Sequence, residues 1–245
     1  TWIFDLAPII TLASTLAAAI VFPWVVPSFG LAPATSAAVF FYLLGVGRFF
    51  TVLGALDAGN AFEGMGASRE VQFSALVEPI VFVILGFLTM LTGETSIAGM
   101  LDGTSITSWA RYIAPISLIA LAFFAVLLCE NSRVPFDDPE THLELTMIHE
   151  AMLLDVGGPD LAFALYGAAL KLELMVAFFV LLFIPSFGDA TIIRILQIFI
   201  GTLAMGVVVG IVESTMARMR FLKTPQVLMG AMLVAALAVF LIIKW

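Results

Sequence analysis

Seven apolar runs, each about as long as a bilayer core is thick, constrain this chain more than anything else in it. They cover 3–26, 35–56, 71–93, 109–129, 161–184, 192–213 and 226–244. An α-helix rises about 1.5 Å per residue, so roughly 20 apolar residues cross a hydrocarbon core of about 30 Å. Backbone groups in lipid must be satisfied within the segment, which a helix achieves. Punctuation agrees with this division. Pro23 and Pro27 close the first run, Pro33 precedes the second, Gly93 ends the third and Pro185 the fifth. Pro225 opens the last run, at a position where a helix tolerates proline. The expected fold is therefore all-α: a polytopic transmembrane helix bundle of about seven spans, forming a single membrane domain over 1–245. There is no repeat at a fixed period and no low-complexity linker.

Composition narrows the function. Hydrophobic residues make up 62% of the 245 and charged residues 11%, too few charges to clothe a soluble surface. A net charge of −8 without a basic patch excludes nucleic acid as the main partner. The single cysteine, Cys129, cannot ligate an iron–sulfur cluster, a zinc ribbon or a nickel–iron centre. His142 and His149 both lie in a polar stretch, which argues against a membrane haem, and their seven-residue spacing is too long for one ion. No metal, cofactor or catalytic residue is expected in this chain.

The basic residues choose an orientation. Arg69, Arg133, Arg218, Arg220 and Lys223 follow the second, fourth and sixth runs, on one side of the bilayer. By the positive-inside rule that side is cytoplasmic. The acids gather there too: Asp57, Glu63 and Glu70 in 57–70, and eight more between Glu130 and Asp160. Loops 57–70, 130–160 and 214–225 are expected to form a partner-docking face.

Charges inside apolar runs are costly, about 2.5–3.5 kcal/mol each on insertion scales, and they usually pair or face a wet cavity. Arg48, Glu78, Lys171 and Glu173 are such residues. They suit either a structural ion pair or an ion pathway. In the long polar loop, Asp138-Pro139 reads as the start of a helix running 139–155 and stopping before Gly157-Gly158-Pro159. Such a helix carries Glu140, Glu144 and Asp155 on one stripe and the two histidines opposite, which fits a solvated surface helix or a carboxylate funnel. Gly45-x-Gly47 suits close helix packing, and Gly206-x-x-x-Gly210 is a weak dimerisation signal, read here rather as internal packing.

The run Glu130-Asn131-Ser132-Arg133-Val134-Pro135-Phe136-Asp137, followed by Glu140 and Glu144, resembles a loop of the subunit-1 family of respiratory complex I. Gly66, Arg69 and Glu78 match a second block of that family, and Gly158-Pro159 through Phe163-Ala164-Leu165 a third. Within the family, Gly64 to Glu70, Leu143 to Glu150 and Glu213 to Arg220 are similar to the membrane subunits of group 4 nickel–iron hydrogenases, formate hydrogenlyase and hydrogenase-4 among them. The chain departs from complex I at Leu170-Lys171, where that branch carries a glutamate. It also starts at Thr1, and the resemblance implies that one further N-terminal helix precedes it.

The resemblance implies a membrane anchor and ion-coupling subunit that links a cytoplasmic redox arm to proton or sodium translocation. Its partners would be hydrogenase-like large and small subunits and an iron–sulfur protein, which hold the nickel–iron centre and the clusters, together with antiporter-like membrane subunits. The location would be the inner membrane of a prokaryote. Proton or ion pathway residues would be Glu78, Glu130, Asp137, Glu140, Glu144, Glu150, Asp155 and Glu213, with Arg48, Arg69, Arg133 and Lys171 organising the charges. Replacing Glu144 or Asp137 by alanine should then uncouple the complex. Two other readings use the same sequence: the quinone-chamber subunit of a quinone-linked dehydrogenase, and a stand-alone transporter, which the lack of an internal repeat disfavours.

Overall fold

The computed structural model describes residues 1–24, 36–103, 106–137, 147–184 and 191–244; of 102, 106–108, 191 and 222 it describes the backbone alone. In chain order the helices are α1 (Trp2–Val21), α2 (Ala37–Ala58), α3 (Ala61–Thr92), α4 (Ile97–Gly103), α5 (Ile106–Arg111), α6 (Ile113–Glu130), α7 (Gly158–Phe183), α8 (Thr191–Thr215) and α9 (Thr224–Lys244). Seven of them, all but α4 and α5, are long and apolar enough to cross a membrane. They match the seven apolar runs one for one. Among the described residues there is no strand beyond a single Ser36–Ser96 bridge.

Local chemistry sets the ends. Ser36 and Asn60 cap α2 and α3, their side chains accepting from the N–H of Ala38 and of Phe62. Gly59 and Gly93 terminate α2 and α3 with φ of +71° and +77°, a conformation that favours glycine. Pro159 occupies the first turn of α7.

Helix α3 begins about ten residues before its apolar run. At 32 residues it is about 48 Å long, well beyond a bilayer core. Residues 61–70, expected as loop, are its first turns. The expected helix 139–155 is not found where the chain is described. Residues 150–153 form a short 3-10 turn and 154–155 a bend onto α7. Residues 138–146, with Glu140, His142 and Glu144, lie outside the described residues.

The helices pack into two joined groups. Helix α1 lies against α2 and α7, while α3, α6 and α9 lie against one another. Helices α2–α3 and α6–α7 join the groups, and α8 packs on α7. The centre is aromatic: Phe40 stacks on Phe178 with centroids 5.8 Å apart, and Phe123 packs against Phe178, Phe179 and Phe183.

Glycines set two close approaches. A Cβ on Gly47 would lie 2.8 Å from Ser14 Oγ on α1, whereas one on Gly45 would meet nothing within 4 Å. Gly47→Ala should therefore destabilise the bundle by about 1–3 kcal/mol and Gly45→Ala by little, read as thermal midpoints in detergent. Gly206 and Gly210 do not pack internally as expected. Both face open space, and it is Gly201 that meets Val180 of α7. Trp2 is 70% exposed at the start of α1, as an interfacial anchor would be.

Candidate functional site

Three of the four charges in the apolar runs come together inside the bundle. Arg48 comes from α2, Glu78 from α3 and Lys171 from α7, and Glu130 joins them from the last turn of α6. Arg48 donates through Nη1 to Glu130 Oε1 and through Nη2 to Glu78 Oε1 at 2.8 Å. Lys171 Nζ donates to Glu130 Oε2 at 2.8 Å and to the Glu130 carbonyl at 2.7 Å. The side chains of Arg48, Glu130 and Lys171 are only 13%, 12% and 15% exposed. A carboxylate at a helix C-terminus is unfavourable by itself, since the last carbonyls already carry partial negative charge. Lys171 answers both the carboxylate and the free carbonyl. Glu78 is the open member, 59% exposed. Glu173, two residues beyond Lys171, lies on the exposed face of α7 and does not join the cluster.

The cluster divides two cavities. One, of about 70 Å³, is walled by Phe41, Tyr42, Val81, Phe82 and Leu85 and ends on Arg48, Glu78 and Glu130. The other, of about 60 Å³, is the more polar of the two and lies toward the loops. Thr11, Thr15, Thr51, Glu70, Asn131, Ser132 and His149 line it together with Arg48, Glu130 and Lys171. Thr11 Oγ1 donates to the carbonyl of Ala7 and lies 3.1 Å from Thr51 Oγ1, tying α1 to α2 on that wall.

The loops gather at the same end and hold one another. Asp137, 4% exposed, accepts on Oδ2 from the N–H of Ile148 at 3.2 Å and of His149 at 3.1 Å, and Oδ1 lies 3.3 Å from Arg218 Nη2. The N–H of Met219 donates to the carbonyl of Pro135. Arg133 pairs with Glu213 at 3.3 Å near the surface. Arg69 donates to the carbonyl of Met147 at 3.1 Å and lies over the Phe221 ring. Gly66 lets this layer sit directly on α3, since a Cβ there would lie 2.8 Å from the Ile148 carbonyl oxygen. Arg69 and Arg133 thus hold loops together, with the carboxylate of Glu213 the one such group that Arg133 is seen to grip. Asp155 is at the loop edge, its N–H donating to Glu63. Glu150 starts the 3-10 turn.

His149 is not on a solvated stripe. Burial, then the nearby Lys171 and Arg133 cations, push its imidazole down to about 4, so the ring is neutral near pH 7. The unfolded chain takes up this proton near pH 6.5. Between these values the unfolded state binds the proton and the folded state does not, so stability is fully present above pH 6.5 and falls as pH drops toward 4. His149→Gln should flatten that limb of a plot of thermal midpoint against pH.

Two carboxylates belong to the site beyond those singled out. Glu63 is wholly buried in the first turn of α3; Oε1 accepts from the N–H of Asp155 at 2.9 Å, and Oε2 has no partner among the described residues. Glu70, two turns on, faces Lys171 and Arg48 across the polar cavity. Taking 61–70 as loop hid both. As helix, Glu63, Gly66, Glu70, Phe73 and Val77 share one face. Among the described residues no group of three His, Cys, Asp or Glu side chains is placed to hold a metal.

Comparison with known proteins gives consistent matches along the whole chain. A family model described as NADH dehydrogenase matches residues 1–244. Hydrogenase-4 component C of Escherichia coli (strain K12) is 33% identical over an alignment covering 96% of this chain and 75% of that one. Formate hydrogenlyase subunit 4 of the same strain is 29% identical, over 92% and 74%. The fold is that of a chain in the membrane-bound sulfane sulfur reductase, an archaeal respiratory membrane complex, with a TM-score of 0.86 at 17% identity over 99% of this chain and 80% of that one.

Proposed function

We propose, for a chain that belongs to the NADH dehydrogenase family, the role of membrane anchor and ion-coupling subunit in a hydrogenase-type, complex I-like assembly. It links a cytoplasmic redox arm to proton or sodium translocation in a prokaryotic inner membrane. The observation that carries this reading is the Arg48–Glu130–Lys171–Glu78 cluster, held between two cavities inside the helix bundle. Buried ion networks at membrane depth cost free energy that apolar side chains would not, and they mark ion pathways. The relatives' names support the hydrogenase setting. The interlocked loop end, with Asp137, Arg133, Arg69 and the connector after α8, presents the surface on which the arm docks. Hydrogenase-like large and small subunits and an iron–sulfur protein bind there and carry the metal centres, while antiporter-like subunits lie beside the helices.

The test is ion movement by the intact complex in sealed vesicles. Glu130→Gln keeps the size of the side chain and removes its charge, and it should lower ions moved per redox turnover at least tenfold. Unchanged coupling in an assembled variant would remove the cluster from the pathway. The alternative is a quinone-chamber subunit, which draws on the aromatic-walled cavity ending on Arg48 and Glu78. Turnover that requires added quinone would favour it, and quinone-independent hydrogen evolution would favour the first reading.

A further inference from the structure

Two residues on the wall of the cavity on the loop side of the cluster carry a side-chain polar atom that the described protein leaves unanswered. His149 Nε2 and Asn131 Oδ1 are both buried and have no partner among the described residues. Both residues line the cavity. A buried polar atom without a hydrogen bond costs about 1–3 kcal/mol, and such atoms are normally satisfied by ordered water where there is room. A volume of about 60 Å³ holds about four waters on the same measure. The walls suit water as well. Thr11, Thr15, Thr51 and Ser132 supply hydroxyls, and Lys171, Arg48, Glu130 and Glu70 supply charges.

His149 is held in place rather than left to swing. Its backbone N–H is clamped by Asp137 Oδ2, which also holds the N–H of the preceding residue. The backbone that carries the ring is therefore fixed beside the cavity wall.

We propose that this cavity is water-filled and that His149 is its proton-relay group, exchanging a proton with Lys171 through the cavity water. The inference rests on the ion-coupling reading above and adds to it the identity of the ion and of the relay. In the step, the ring nitrogen that carries no proton takes one from a cavity water, and that water takes one from the Lys171 ammonium. The proton passes from amine to imidazole, and the charge of the cavity is unchanged. Every element around the ring bears on this exchange. Arg48 stands on α2, Glu70 on α3, Glu130 at the end of α6, Arg133 on the following loop and Lys171 on α7. Lys171 and Arg133 oppose a proton on His149, so loss of the Lys171 proton removes one of the charges that keep the ring neutral. Imidazole and amine exchange protons and do not ligate alkali cations while the amine is charged.

Two measurements on the purified complex test this. Hydroxyl-radical labelling by brief X-ray exposure reports water trapped beside buried side chains. Met152 lines the cavity at 2% exposure, and Met100 lies elsewhere at 1%. Met152 should oxidise at least tenfold faster than Met100; equal rates mean a dry cavity and overturn the proposal. In vesicles, His149→Ala should lower protons moved per redox turnover at least tenfold, and added imidazole should restore at least half of the loss. His149→Gln, which hydrogen-bonds without exchanging a proton, should stay low. Wild-type coupling in His149→Gln, or no response of His149→Ala to imidazole, overturns the relay. If those variants couple normally while Glu130→Gln does not, the relay fails and the ion-coupling reading stands. If all three couple normally, both fail. Should neither His149 variant assemble, equal Met152 and Met100 rates in the wild type still overturn the proposal.

Discussion

Glu130→Leu should cost the folded protein about 3–5 kcal/mol, because it leaves Arg48 and Lys171 as neighbouring, largely buried cations without the carboxylate that balances both. Lys171 would also lose the carboxylate that holds its ammonium, leaving the C-terminal carbonyl of α6 as its remaining acceptor. The single change Lys171→Met should cost less, since Arg48 still answers both Glu130 and Glu78. The double variant Glu130→Leu/Lys171→Met should recover part of the loss, because it leaves the Arg48–Glu78 pair balanced. A coupling energy of at least 1 kcal/mol across this cycle, read from thermal or denaturant unfolding of the purified protein, is the expected result. Additive effects within about 0.5 kcal/mol would mean that Glu130 and Lys171 do not act as a unit.

What was legible beforehand follows from where the information is held. The seven spans are readable because hydrophobic transfer is a sum over a contiguous segment, and nothing tertiary is needed to evaluate it. The cluster was half readable: Arg48, Glu78 and Lys171 stand out as charges in apolar runs, but their meeting with Glu130 joins four different helices. Residues 61–70 misled because a helix that runs past the bilayer loses its apolar signature while keeping its backbone geometry. Glu63 and Glu70 went unrecognised as inward-facing for that reason. His149 misled differently. Its polar neighbours in sequence suggested a wet surface, whereas the loop folds back over α3 at Gly66 and buries it. Helical periodicity could not foresee this, because 147–155 is ordered by bonds to Asp137 and Glu63 rather than by a helix of its own.

Asp137 shows how a motif acid can be read in two ways and then separated. Its carboxylate receives two backbone N–H groups from 148–149 and the Arg218 guanidinium from the connector after α8, so three segments meet on one side chain that is almost fully buried. Asp137→Ala removes the acceptor of two N–H groups and one ion-pair partner of Arg218 together, and it should destabilise the loop end by about 3–5 kcal/mol. Loss of coupling in that variant would not by itself show that Asp137 carries a proton. Asp137→Asn makes the distinction. The amide keeps one carbonyl oxygen that can accept from both N–H groups, and it gives up the ion pair and the ability to titrate. If the residue acts as a clamp, the Asn variant should assemble, lose no more than about 2 kcal/mol and keep most of the ion movement. If it carries the proton, the same variant should assemble and yet move no ions. The geometry favours the clamp. Proton release from a carboxylate bonded in this way would have to alternate with bonds that the loop layer needs throughout the cycle, whereas Glu130 borders both cavities, Lys171 borders the polar one, and both can change partners without unfolding a loop.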